Sequence, residues 1–287
     1  MPEPRGHTAS RHCSPVGAIV LLAALLVPSA TAGQTQPTVG QAGKDVPWVP
    51  TPDVLVDTML EMADVSPDDL VVDLGSGDGR TVIAAARLGA RAIGIEYDPA
   101  LVALSTQRAD EAGVSDLTEF ITTDLFEYDL SQATVITLFL LPDLNLRLRS
   151  TLFTLEPGTR IVSNTWALDG WDDDPDAGNG WAPDETVVLD PCPTWCTSLL
   201  WVVPAKVEGT WRLSEGELSL DQTFQMVAGT LRTETGTIPI EDGRLHGTEI
   251  RFRAGDTHYT GRVDGTTMRG VAQTPRGAVD WNATLSR

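Results

Sequence analysis

Leu70-Val71-Val72-Asp73-Leu74-Gly75-Ser76-Gly77-Asp78-Gly79-Arg80 is the stretch on which the fold turns. Val71, Val72 and Leu74 form a short apolar run of the kind that fills a buried parallel strand. Gly75, Gly77 and Gly79 permit a sharp turn and a close backbone approach to a ligand. Thr81-Val82-Ile83-Ala84-Ala85-Ala86 then opens a helix on that turn. The next apolar run, Ala92-Ile93-Gly94-Ile95, ends in Glu96. An acid about 20 residues beyond a glycine turn is the pattern of a ribose-binding carboxylate. The stretch points to a nucleoside-containing cofactor.

Strands and helices alternate outward from it. Upstream, Thr51 can cap a helix with Pro52 at its first position, and Val54, Leu55, Thr58, Met59 and Met62 share one helical face. Downstream, helices are expected over 79–88, 99–112 and 142–154, and strands over 91–96, 117–121, 134–139 and 160–163. Gly113 ends the second of these helices. This alternation predicts a doubly wound α/β domain over 48–204, closed by two strands at 185–189 and 199–203. From Lys206 the pattern changes to short strands of period two. Leu218, Leu220, Gln222, Phe224, Met226 and Ala228 are one such run, and Val279, Trp281, Ala283 and Leu285 another. Residues 205–287 are therefore expected to form a small antiparallel all-β domain, a sheet or partial barrel, suited to packing or to recognising a partner.

The 287 residues are 41% hydrophobic, enough for real cores. Arg5, His7, Arg11 and His12 precede an apolar run from Val16 to Val27, and Ala30-Thr31-Ala32 follows. That is the layout of a secretory signal peptide over 1–32, cut after Ala32. The run is short for a membrane span; the alternatives are an uncleaved anchor helix and a cytoplasmic chain whose first 32 residues are not a leader. The expected location is exported, periplasmic or secreted, with 33–47 as a flexible lead-in. Losing residues 1–32 removes Arg5, Arg11 and Glu3 and takes the formal charge from −20 to −21. So acidic a body is repelled by nucleic acid and by anionic membranes.

The remaining cysteines, Cys192 and Cys196, suggest a local disulfide in an exported chain, with reduced thiols as the alternative. Two cysteines and few histidines argue against zinc, and no metal is expected. Asp169 to Gly180 reads as an acidic surface loop whose spacing does not match an EF-hand.

The glycine turn fails the dinucleotide fingerprint, because its sixth position is Arg80. Asp73 sits in the strand end, where it would repel a pyrophosphate and suits a cation. S-adenosylmethionine carries an α-amino group and a sulfonium and no phosphate. Asp73, Glu96 and Asp124 follow the first three strands, whose ends line one crevice in a doubly wound sheet. Asp73 can hold the methionine amine, Glu96 both ribose hydroxyls and Asp124 the adenine amine, with Leu125 on the ring. Thr51, Gly75, Ser76, Gly77, Gly79 and Tyr97 complete this part of the cofactor set.

Val49-Pro50-Thr51-Pro52, the run from Val72 to Arg80, Gly94-Ile95-Glu96 and the run from Leu140 to Arg149 together resemble the class I, seven-strand methyltransferases. More narrowly they resemble the lysine methyltransferase group that includes the mitochondrial ATP synthase c-subunit enzyme and its prokaryotic relatives. The resemblance spans Val49 to about Trp171, under half of the chain. It implies a Rossmann-like sheet, S-adenosylmethionine as cofactor and methyl transfer to a protein lysine amine. It also implies a site at the end of the fourth strand, where Leu140 to Asn145 face the transferred methyl. A His or Asp is implied beside Ser163, where this chain has Ser163-Asn164-Thr165-Trp166. Methyl transfer asks for in-line alignment, exclusion of water and an unprotonated amine. Asp143, Asn145 and Trp166 are the candidate catalytic residues, Asn145 to orient the substrate and Trp166 to wall the pocket or meet a cation face-on. The alternative is an exported protein that binds a ligand or partner on this fold without turnover.

Overall fold

Val71 to Leu74 are buried in the strand β1 (Leu70–Leu74), which pairs in parallel with β2 (Arg91–Glu96) on one side and β4 (Val135–Leu138) on the other. The computed structural model describes residues 37–41, 43, 47–169, 180–191 and 194–286. The expected signal peptide, most of the acidic loop after Asp169, and Cys192 lie outside these residues.

β3 (Thr118–Thr122) adds beside β2, and β5 (Arg160–Asn164) beside β4, both parallel. β6 (Glu185–Val188) and β7 (Thr197–Val202) form the antiparallel hairpin that closes the sheet, in the order β3-β2-β1-β4-β5-β7-β6. Successive strand residues point to opposite faces, so Val71 and Val72 enter different cores. On one face α1 (Asp53–Met62) and α2 (Arg80–Arg87) bury Leu55, Val56, Met59 and Val82 against Val71 and Val135. On the other, α4 (Pro142–Phe153) buries Leu144, Leu148 and Leu152 against Val72 and Ile136. α3 (Pro99–Ala112) starts under an Asp98 cap, whose Oδ1 accepts from the Ala100 N–H, and ends at Gly113 in the left-handed conformation.

Thr51 does not cap α1. Pro52 stands at that position without a side-chain bond, and the Thr51 hydroxyl instead accepts from Asn164 Nδ2 at 3.2 Å. Asn164 ends β5, so this bond draws the segment before α1 onto the sheet.

The second domain is a closed barrel. Its strands are β8 (Gly209–Leu213), β9 (Gly216–Thr223), β10 (Met226–Thr233), β11 (Gly236–His246), β12 (Glu249–Ala254), β13 (Thr257–Asp264), β14 (Thr267–Thr274) and β15 (Gly277–Leu285). Closure comes from β8, which pairs with both β9 and β15. Trp211, Leu218, Leu245, Phe252 and Trp281 are among the side chains that fill it. Apolar inside and polar outside, it is the inverse of a barrel that faces lipid. The period-two run from Leu218 to Ala228 does not continue as one strand. Phe224 adopts a φ of 51° in the β9–β10 turn, and Val227, not Met226, then faces the core. Phe224 leaves the barrel to stack on Trp181, with ring centroids 5.7 Å apart, and both meet Phe153 of α4. Arg244 of β11 pairs with Asp184 at 2.7 Å, and the Lys206 ammonium donates to the Phe153 carbonyl at 2.6 Å. These contacts join the barrel to the sheet.

Candidate functional site

The C-terminal ends of the parallel strands open on one cavity of about 320 Å³. Its walls are Gly75 to Asp78 after β1, Glu96 to Asp98 at β2, Thr123 to Leu125 after β3, Phe139 to Leu141 after β4, and Trp166 after β5. Trp48 to Thr51 before α1 and Trp195 before β7 also line it. A crevice at the carboxyl ends of the strands, where the order reverses about β1, is where such sheets bind ligands.

The glycine turn is stitched to β2. The N–H groups of Gly75 and Ser76 both donate to the Ile95 carbonyl at 2.9 Å. The Gly77 N–H donates to Glu96 Oε2, and the Asp98 N–H to Glu96 Oε1, each at 2.9 Å. Gly77 is required twice over. Its φ is 54°, and a Cβ there would fall 2.6 Å from the Trp48 indole nitrogen. Ser76 lines the cavity, but its hydroxyl is buried over Gly94 and has no protein partner.

Asp73 is buried, and the Thr137 hydroxyl donates to its Oδ1 at 2.6 Å. Burial, and then the charges of Glu96 and Asp78, push its carboxyl up to about 7 against that bond. Asp78 goes the other way. Burial opposes its charge, but Arg80, at 2.7 Å, and Arg108 hold its carboxyl below the usual range. Arg80 is the only cation on the described cavity wall, and it is spent on Asp78 and on the Thr51 carbonyl. The wall therefore presents carboxylates without a free cation, which suits a cationic ligand and repels a pyrophosphate.

The chain matches the family model for the ANTKMT methyltransferase domain over residues 73–175. It is similar to a protein-lysine N-methyltransferase of Saccharolobus islandicus, at 42% identity over 129 residues, which are 44% of this chain and 80% of that protein. It is 35% identical over 157 residues to the ATP synthase c-subunit lysine N-methyltransferase of Rattus norvegicus, covering 52% of this chain and 72% of that one. The chain belongs to the ANTKMT methyltransferase family. It is an S-adenosylmethionine-dependent methyltransferase. A solved structure of an RNA methyltransferase from Salinibacter ruber in complex with S-adenosyl-L-homocysteine is 50% identical, covers 55% of this chain and 96% of its own, and superposes with a TM-score of 0.49.

Most of the residues singled out in the sequence meet at this methyltransferase cavity. Thr51, Asp73, Gly75, Ser76, Gly77, Glu96, Tyr97, Asp124, Leu125, Leu140 and Trp166 all line it. Gly79 does not. It supplies the left-handed turn into α2, and a Cβ there would strike Ser105 and Phe120. Asp143 is exposed in the first turn of α4, outside the cavity wall. Asn145 is fully buried and off the cavity wall; its Nδ2 donates to the carbonyls of Trp166 at 3.0 Å and Ala167 at 3.2 Å. The Ser163 hydroxyl also donates to the Trp166 carbonyl, at 2.6 Å. Asn145 and Ser163 thus position the Trp166 backbone from two elements. Asp124 Oδ1 accepts from the Phe126 N–H at 3.0 Å, which fixes its loop beside the cavity.

Trp48, Phe139 and Trp195 are aromatic wall residues that sequence reasoning missed. Trp48 stands in a proline-rich approach, and a Trp between prolines was the available signal. Gln41 and Gly43, from the segment read as a lead-in, also reach the wall, with Gln41 and Trp48 paired through their backbones at 2.9 Å. Cys196 is disulfide-bonded.

Proposed function

We propose that this methyltransferase transfers its methyl group to the Nζ of a lysine on a protein. The observation that carries the reading is a cavity with two unlike sides. Asp73, Glu96 and Asp124 stand on the β1–β3 side, and Phe139, Trp166 and Trp195 on the β4, β5 and β7 side. The names of the relatives from Saccharolobus islandicus and Rattus norvegicus support a lysine acceptor.

When bound, S-adenosylmethionine supplies a methyl group on a sulfonium that is already an activated leaving group. The chain's residues bind, align and dehydrate. Glu96 takes the ribose hydroxyls with lone pairs left over from its two backbone bonds. Asp73 faces the α-amino group, and Asp124 and Leu125 take the adenine. The aromatic side excludes water from the lysine stem. Lysine arrives as the ammonium and reacts as the free base, so it gives up one proton to solvent before transfer. That nitrogen would take the methyl from bound S-adenosylmethionine, the carbon–sulfur bond breaking to leave a thioether, and the product would leave as the methylammonium.

The methyltransferase reading is tested by calorimetry with S-adenosylmethionine. Saturable binding is expected, and no heat at high micromolar cofactor with folded protein overturns it. The acceptor is tested by mass spectrometry of a lysine-bearing protein extract incubated with enzyme and labelled donor. Label on residues other than lysine overturns the acceptor alone.

We further propose export, with residues 1–32 as the signal peptide. The disulfide at Cys196 supports an oxidising compartment. Mass mapping of the secreted product tests this: a start at Gly33 is expected, and a product retaining Met1 overturns it. No helix among the described residues is long and apolar enough to cross a membrane. The barrel's filled interior leaves its outer face for binding, which supports a role in recognising a protein partner.

A further inference from the structure

Three aromatic rings meet on the cavity wall opposite the carboxylates. The ring centroid of Trp195 lies 5.9 Å from that of Phe139 and 5.8 Å from that of Trp166, with interplanar angles of 61° and 52°. At these angles the rings form the walls of a corner, not a stack. Trp195 keeps 39% of its surface exposed, so burial in a core does not account for it. Its backbone sits at a φ of 55°, a conformation that disfavours a side chain of this size. The next residue, Cys196, is disulfide-bonded and buried. A strained backbone beside a buried residue thus presents a half-open indole to the cavity. Trp195 also lies outside the 73–175 segment matched by the family model.

We propose that Trp195 is a specificity-determining residue, closing with Trp166 and Phe139 an aromatic corner that takes the ammonium end of the acceptor side chain. The inference rests on the lysine reading above. Ring faces carry negative quadrupole charge and attract ammonium groups, the more so when water is excluded. Arg80, the wall's cation, is held by Asp78 and does not compete for those faces. The carboxylates across the cavity favour the same charge. The corner would therefore prefer a charged head to a neutral one of equal size.

The test uses wild type, Trp195→Leu and Trp195→Phe, each saturated with S-adenosylhomocysteine. Each is titrated by NMR with Nα-acetyl-Nε-trimethyl-lysine methylamide and with its neutral analogue bearing a tert-butyl head. Wild type should bind the charged probe about tenfold more tightly than the neutral one. Trp195→Leu should lose that preference and Trp195→Phe should keep most of it. The affinity for S-adenosylhomocysteine, read by calorimetry, should stay within about twofold in all three. Equal binding of the two probes by wild type, or a Leu variant that keeps the preference, overturns the proposal. Wild type that binds no S-adenosylhomocysteine overturns the donor reading itself, so the two failures are distinguishable.

Discussion

Asp73→Asn should make the protein more stable and a poorer binder of its donor. Asp73 is 7% exposed, and burial pushes its carboxyl up to about 7 from an ordinary value of 3.8. At 1.36 kcal/mol per pH unit, that displacement costs the fold on the order of 4 kcal/mol once the group is ionised. The folded protein holds this proton more tightly than the unfolded chain does. Between about pH 4 and pH 7 the native state therefore binds more protons, and this group's contribution falls as pH rises. The penalty is absent below about pH 4 and complete above about pH 7. Asparagine removes the charge and keeps an acceptor for the Thr137 hydroxyl. Its amide NH₂ needs a partner in return, which gives back on the order of 1–3 kcal/mol. A net gain of about 1–3 kcal/mol at pH 8 is expected, seen as several degrees in Tm. The same change removes the carboxylate assigned to the methionine amine. A charge-assisted contact of about 1.5–3 kcal/mol is lost, and S-adenosylhomocysteine should bind about 10- to 100-fold more weakly. Thermal melts of both proteins from pH 4 to pH 8, with calorimetry at pH 8, read both effects. An Asn variant less stable than wild type at pH 8, or a stability difference independent of pH, refutes the buried-charge argument. Unchanged donor affinity refutes the amine role.

Glu96→Ala removes the acceptor of the Gly77 and Asp98 N–H groups as well as the ribose contact. Donor affinity should fall about 30-fold or more and Tm by a few degrees, measured by calorimetry and melting; an unchanged affinity excludes Glu96 from the ribose site. Asn145→Leu should cost about 1–3 kcal/mol of stability, because the Ala167 carbonyl loses its amide donor, while donor affinity changes little. A fall in donor affinity as large as that of Glu96→Ala would contradict a purely positioning role for Asn145. Raising NaCl from 0.1 to 1 M should raise Tm. The formal charge of −20 repels itself, and the screening length shrinks from about 10 to about 3 Å. A lower Tm in salt would mean that ion pairs such as Arg160–Asp69 outweigh the net charge.

The sheet was legible because its signals are local. Val71, Val72 and Leu74 have to be buried, and Gly75 and Gly77 have to take positive φ, whatever lies far away in the chain. Glu96 and Asp124 were legible because strand ends in a parallel sheet fall on one edge. Thr51, Asn145 and Trp195 depend on partners that sequence order does not reveal. Thr51 meets Asn164, 113 positions away, so a capping residue by composition becomes a bond to β5. Asn145 lies in a helix-start motif that reads as an active-site signature, yet the turn of α4 rotates it inward toward Trp166. Trp195 lies in an irregular segment between two cysteines, where no local periodicity tells which way an aromatic side chain faces. Phe224 fitted its alternating run by polarity, but Trp181 and Phe153 offered it a better apolar contact outside the barrel.

The β6–β7 hairpin links the two questions that the site and the barrel raise separately. Trp195 precedes β7 by one residue, Cys196, and six positions further on Trp201 donates its indole N–H to the Trp181 carbonyl at 2.6 Å. Trp181 in turn stacks on Phe224 of the barrel, and the Asp184 carboxylate accepts from both the Val202 N–H of β7 and Arg244 of β11. One short strand thus carries the aromatic corner at its start and the attachment of the barrel at its end. Close-packed aromatic contacts of this kind transmit position without slack. On the proposed lysine reading, a protein partner docked on the barrel would present its side chain at a fixed reach from Trp195.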